Sequence, residues 1–201
     1  MTFPLLIESI RLENGKLANL SYHTTRMNAA RTTYKLNDQP FNLDSFFQYI
    51  TLPQEGLWKC RILYDSSIKQ IHYKKYQPKD IRSLKLVRHD TIVYDHKLAD
   101  RTQLDTLYRM REKCDDIIIS KHGMVTDSYY GNLLFLQKGT WYTPNTNLLQ
   151  GTQRQFLLDQ KLIEEKIIRE NDIMLYEKVK IINAMIDLAS GPEIAIENII
   201  M

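Results

Sequence analysis

The stretch DDIIISKHGMVTDSYYGNLLFLQKGTWYTP, residues 115–144, limits the fold more than any other. Its β-branched and aromatic runs are broken by the pairs His122-Gly123 and Lys138-Gly139, where glycine supplies the positive φ of tight turns. A meander of strands is the expectation. Asp115 and Asp116 open it and read as ordinary solvated charges at a strand start. Asp127 is set apart, because it stands between a short apolar strand and a polar turn, with Asn132 five residues on.

The rest of the chain mixes strands and helices. PLLIESIRLENGKLANL reads as two strands joined by Glu13-Asn14-Gly15-Lys16, Asn-Gly being a strong hairpin signal. SYHTTRMNAARTTYKL follows as a helix with Met27, Ala30 and Tyr34 on one face, and NLDSFFQYITLP as a second helix stopped before Pro53. LWKCRILYD and IKQIHYKKYQ are strands; QPKDIRS, polar and proline-bearing, is the linker candidate. Beyond it come a strand (LKLVRHD), a helix (RTQLDTLYRMREKC), the meander, an amphipathic helix (TQRQFLLDQKLIEEK), a helical or mixed segment (EKVKIINAMIDLAS) and a closing strand or tail (EIAIENII). The fold class is α+β in two lobes, residues 1–80 and 81–201.

With 201 residues, 43% hydrophobic and 25% charged, the composition is that of a soluble globular protein. No stretch approaches the roughly 18 apolar residues of a membrane span. The N-terminus lacks a basic region and a small-residue cleavage site, and reads as a first strand. Two cysteines far apart indicate neither a disulfide framework nor a metal site, so a reducing cytoplasm fits and no metal is expected. In KQIHYKKY, residues 69–76, basic residues interleave with tyrosines; a solvated strand face explains this as well as nucleic acid does, and no nucleic-acid partner is expected. The net charge of +3 suits an anionic small molecule.

Several residues could carry chemistry, each beside a plain alternative. Gly151, Thr152 and Gln153 enter a helix whose first-turn N–H groups could bind an anion, or form an ordinary cap. Arg26 offers the planar fork that suits a phosphate, or is a surface arginine. Lys97, between a strand and a helix, could be a nucleophilic amine or a solvated loop lysine. Lys59 and Arg61 share one side of a strand and could meet a substrate carboxylate, or simply face solvent. Asp127 could cap a turn or pair with a lysine.

Taken together, YHTTR, YDHKLADR, VTDSYYGNLLF, WYTPNTNLLQGTQR and KIINAM resemble the class IV aminotransferases, the fold-type IV pyridoxal-phosphate (PLP) enzymes. That group includes branched-chain and D-amino-acid aminotransferases and aminodeoxychorismate lyase. The resemblance covers nearly the whole chain. It implies a two-lobed D-amino-acid-aminotransferase-like fold with the cofactor between the lobes, and a homodimer. Lys97 matches the lysine that forms the Schiff base, and Arg26 the arginine on the cofactor phosphate. Gly151, Thr152 and Gln153 match the loop whose amides bind that phosphate. Asn183 and Ala184 fall near a second loop, and Asp127 matches the acid that pairs with the pyridine nitrogen, usually glutamate in the family. The implied activity is PLP chemistry on an amino-bearing carboxylate. Pyruvate-releasing elimination of the aminodeoxychorismate lyase type leads, amino-acid transamination is the alternative, and a non-catalytic PLP-holding protein is the third.

Overall fold

The structure, a computed structural model, describes residues 3–36 and 39–201. The chain forms two compact units, Met1–Pro78 with His96–Asp100, and Lys79–Asp95 with Arg101–Met201. The segment bearing Lys97, expected in the second lobe, therefore packs with the first unit. The reason is backbone pairing: Ile7 N–H donates to the Lys97 carbonyl at 2.9 Å, and Ala99 N–H to the Leu5 carbonyl at 2.8 Å.

In the first unit, strands β1 (Leu6–Glu13), β2 (Lys16–Leu17), β3 (Leu57–Tyr64) and β4 (Ile68–Lys75) form an antiparallel sheet in the order β2-β1-β3-β4. Asn14 (φ 47°) and Gly15 (φ 76°) both take left-handed backbone, as the two-residue turn between β1 and β2 requires. Helices α1 (Leu20–Thr33) and α2 (Leu43–Phe47) contribute Met27, Ala30, Leu43 and Phe47 to a core shared with Leu6, Ile10, Leu12, Cys60, Ile62 and Tyr64. The second helix is one short turn and a half, begun by Asn42, whose side chain accepts from Ser45 N–H at 3.0 Å.

The second unit holds β5 (Leu84–Arg88), α3 (Thr102–Arg109), β6 (Asp116–Lys121), β7 (Met124–Ser128), β8 (Asn132–Gln137), β9 (Thr140–Pro144), α4 (Thr152–Asp159), β10 (Glu164–Lys166), β11 (Lys178–Ile182), β12 (Glu193–Ala195) and β13 (Ile199–Ile200). Its main path runs β10-β9-β8-β7-β6-β5-β13, and β11 pairs with both β8 and β12. The meander is β6 to β9, turning at His122-Gly123 and Lys138-Gly139 with positive φ at all four residues. Buried Ile118, Val125, Leu133, Phe135, Val179 and Ile181 knit these strands into one core.

Three readings change. The helix expected through Lys166 ends at Asp159: Lys161 turns left-handed (φ 55°), and Glu164–Lys166 pairs in parallel with β9. The segment after Glu177 is the strand β11, paired along its length with β8. Asp116 is not a solvated charge; it is fully buried, while neighbouring Asp115 stays exposed and accepts from the Arg82 and Ser83 amides.

Candidate active site

Each unit carries its own constellation. In the first, β1 alternates inward and outward, which puts Glu8 on the same face as Leu6, Ile10 and Leu12. A carboxylate on a core face needs partners, and α1 supplies them. His23 Nδ1 lies 2.7 Å from Glu8 Oε2, and Arg26 donates from Nε to Oε1 at 3.0 Å and from Nη2 to Oε2 at 2.5 Å. Burial raises the Glu8 pKa, but the Arg26 charge and the His23 bond together outweigh it and hold the group at about 2. His23 goes the other way. Burial depresses its pKa, the Arg26 and Lys97 charges add to that, and Glu8 only partly opposes them. The imidazole is thus neutral near pH 7, and its Nδ1–H donates to Glu8.

Next along β1, Ile7 N–H holds the Lys97 carbonyl, so one strand carries both the acid that grips Arg26 and the anchor of the lysine backbone. The Lys97 side chain is half-buried. On β3, buried Cys60, Ile62 and Tyr64 face the core, which leaves Lys59 and Arg61 on the opposite face. There Lys59 stands in register between Arg11 and Lys74, and Arg61 between Ser9 and His72. Lys59, Arg61 and Lys74 thus share this face, where Arg11 is paired with Glu13 at 2.9 Å.

In the second unit Asp127 is buried, and both of its oxygens are engaged. Oδ1 accepts from Asn132 Nδ2 at 2.8 Å, and Oδ2 from the Leu148 and Leu149 amides at 3.1 and 2.9 Å. Burial pushes its pKa up to about 6 despite these donors and the Arg154 charge. Asn132 Nδ2 also donates to the Leu149 carbonyl at 3.0 Å, so acid and amide together set the loop that leads into α4. Gly151, the cap residue of α4, has ordinary extended backbone (φ −72°, ψ 134°). It is glycine because a Cβ there would strike Asn132 Oδ1, not because the turn needs conformational freedom. Thr152 and Gln153 follow it, both buried.

Asn183 and Ala184 lie in a tight turn after β11, closed by reciprocal hydrogen bonds of 3.0 Å between Asn183 and Ile186. Asn183 Nδ2 donates to the Tyr130 carbonyl at 3.1 Å, which ties this turn to the one between Asp127 and Asn132. Asp127, Gly151, Thr152, Gln153 and Asn183 are thus one connected assembly. Among the described residues no group of three or more His, Cys, Asp or Glu side chains is arranged to hold a metal ion.

Residues 5–194 match the family described as amino-transferase class IV. The chain belongs to that family. Class IV membership makes it a PLP-dependent enzyme, and the match spans both units. An uncharacterised protein of Haemophilus influenzae is 43% identical over 182 residues, covering 90% of this chain and 97% of that one. Among solved structures, a proposed 4-amino-4-deoxychorismate lyase from Haemophilus somnus is 39% identical with a TM-score of 0.86, covering 94% of this chain and 99% of the other. A Mycobacterium tuberculosis hypothetical aminotransferase in PLP-bound form, 13% identical with a TM-score of 0.74 and covering 95% and 80%, shares the fold.

The class IV residues read from the sequence left four others unassigned. Glu8 had a visible signal, an acid in phase with Leu6, Ile10 and Leu12 on an alternating strand. His23 lies one helical turn before Arg26 and Met27. Asn132 sits opposite Asp127 across the turn. Asp116 carried no signal to part it from Asp115.

Proposed function

We propose that this class IV enzyme is a PLP-dependent lyase acting on an amino-bearing carboxylate of the 4-amino-4-deoxychorismate type, with release of pyruvate. The observation that carries the substrate class is the 39% identity, over 94% of this chain, to a protein proposed to be such a lyase. Amino-acid transamination is the alternative.

The residues present fit PLP. A carboxylate has about four lone-pair positions, and Asp127 receives three protein donors, so one position suits the N–H of a pyridinium ring. A cation there would also relieve the burial that pushes the Asp127 carboxyl up to about 6. The loop amides of Leu148 and Leu149 hold this shorter acid by Oδ2. Gly151, Thr152 and Gln153 put the first-turn amides of α4 toward a phosphate, and Arg26 supplies charge and a planar donor fork. Lys97 is the amine through which the cofactor is held. Asn183 and Ala184 belong to the second anion-facing turn, and Lys59 and Arg61 take the substrate carboxylate.

PLP bound there supplies an electron sink for the pair released when a bond at the substrate α-carbon breaks. Asp127 would keep a proton on the ring nitrogen, and Lys97 Nζ would take the proton from the amino-bearing carbon and deliver it to the departing pyruvate as the bond to that leaving group breaks. Arg26 and the α4 amides fix the phosphate and hence the ring position. The lyase acts in the cytoplasm as a homodimer, without nucleic-acid or membrane partners. Two buried free cysteines support a reducing compartment, and among the described residues no helix is long and apolar enough to cross a membrane.

The test begins with the purified protein and added PLP. It should gain a visible absorption band that borohydride bleaches and Lys97→Ala removes. Incubation with 4-amino-4-deoxychorismate should then yield pyruvate without any keto acid acceptor. Keto-acid-dependent exchange of the amino group, with no pyruvate from aminodeoxychorismate, would sink the lyase reading in favour of transamination.

A further inference from the structure

The buried Glu8 carboxylate has no part in the chemistry above, yet it is fully buried and engaged on both oxygens. It receives the Arg26 fork along the Nε–Nη2 edge and His23 from the side. A guanidinium gripped on two of its N–H vectors by one carboxylate is fixed in plane and in rotation. Arg26 itself is largely buried, with 12% of its side chain exposed, and Glu8 is its neutralising partner. His23, on the buried face of α1, is 1% exposed, so Glu8 cannot swing away without abandoning a buried donor.

We propose that Glu8 is a positioning residue for Arg26: it presets the plane in which the guanidinium meets the cofactor phosphate, and His23 sets Glu8. This rests on the PLP reading and adds to it a residue that never touches the cofactor. The geometry makes a sharp distinction possible. A shorter acid at position 8 keeps the negative charge but cannot span both arginine nitrogens and the imidazole. Only alignment is lost, and only toward the phosphate.

The experiment compares PLP with pyridoxal, which lacks the phosphate, by absorbance titration of the wild type, Glu8→Asp, Arg26→Gln and the double variant. Glu8→Asp should weaken PLP binding about tenfold and pyridoxal binding by less than about twofold, the scale of one misaligned charge-assisted hydrogen-bond pair. In the Arg26→Gln background, Glu8→Asp should leave the PLP-to-pyridoxal ratio unchanged, because it acts through that arginine. Equal weakening of both ligands, or a further fall in the ratio once Arg26 is gone, overturns the proposal. If Glu8→Asp does not fold, His23→Leu carries the same test, since it removes the donor that fixes Oε2; an unchanged ratio there overturns the proposal as well. A wild type that takes up neither ligand overturns the PLP reading itself, and this inference with it. A wild type that takes up PLP, with the ratio unmoved by Glu8→Asp, overturns this inference alone.

Discussion

Asp127 and Asn132 face each other across the Ser128–Gly131 turn as the paired position of β7 and β8, joined side chain to side chain at 2.8 Å. The turn is closed by Ser128, whose amide and Oγ both donate to the Gly131 carbonyl at 2.8 and 3.0 Å. Because Asn132 also donates to the Leu149 carbonyl, its amide group joins the meander to the loop before α4.

Asn132→Asp would set a second carboxylate against Asp127 and against the Leu149 carbonyl. The expected cost is roughly 3 kcal/mol of stability at pH 8, from an uncompensated buried charge. Urea unfolding at pH 5, where one of the two acids takes up a proton, should show a smaller loss.

Gly151→Ala places a methyl group onto Asn132 Oδ1. Its backbone conformation suits alanine, so the penalty is steric alone, about 1–3 kcal/mol as for other overpacked sites. The denaturant midpoint reports it, and PLP uptake should fall with it as Asn132 and the 148–151 backbone shift.

Asp116 is buried at the start of β6, with Oδ2 lacking a hydrogen-bond partner and Oδ1 accepting from the Ile117 and Tyr129 amides. Burial pushes its pKa up from 3.8 to about 7, against those amides and the Lys79 and Arg101 charges. The folded protein therefore holds a proton that the unfolded chain has released, and stability falls as pH rises between about 4 and 7. Asp116→Asn keeps the acceptor and deletes the charge. It should stabilise the protein by about 1–3 kcal/mol at pH 8 and by nearly nothing at pH 4, measured by chemical denaturation.

Glu8 has the opposite sign. Its pKa is held at about 2 against 4.5 unperturbed, so its contribution is present above about pH 4.5 and fades as pH falls through 2. Glu8→Gln leaves Arg26 without its counter-charge and should cost about 3–5 kcal/mol at pH 7. The gap from wild type should narrow on acidification, readable from thermal unfolding between pH 7 and 2.5.

What could be read from the chain was what short-range chemistry decides. Asn14-Gly15, His122-Gly123 and Lys138-Gly139 adopt the left-handed turns their residue types favour, and the strands between them follow. What escaped was decided by partners distant in sequence. Lys161 breaks a helical pattern that continues to Lys166, because Glu164–Lys166 gains backbone bonds from β9. Asp115 lies just outside β6 and is exposed, whereas Asp116 is the first residue of a strand buried on both faces. Of the proposed site, Lys97, Arg26 and the 151–153 entry were named from motif order. Glu8 was within reach through its phase on β1, but its partners on α1 needed the three-dimensional structure.

The return of residues 96–100 to the first unit bears on how such enzymes can be recombined. A chimaera cut once near residue 80 would take Lys97 from one parent and the β1 edge that anchors it from another, across the Ile7–Lys97 and Leu5–Ala99 bonds. Exchange between relatives that preserves the lysine's seat must move two separate pieces of chain together, so the gene has no single crossover point that trades one unit for another.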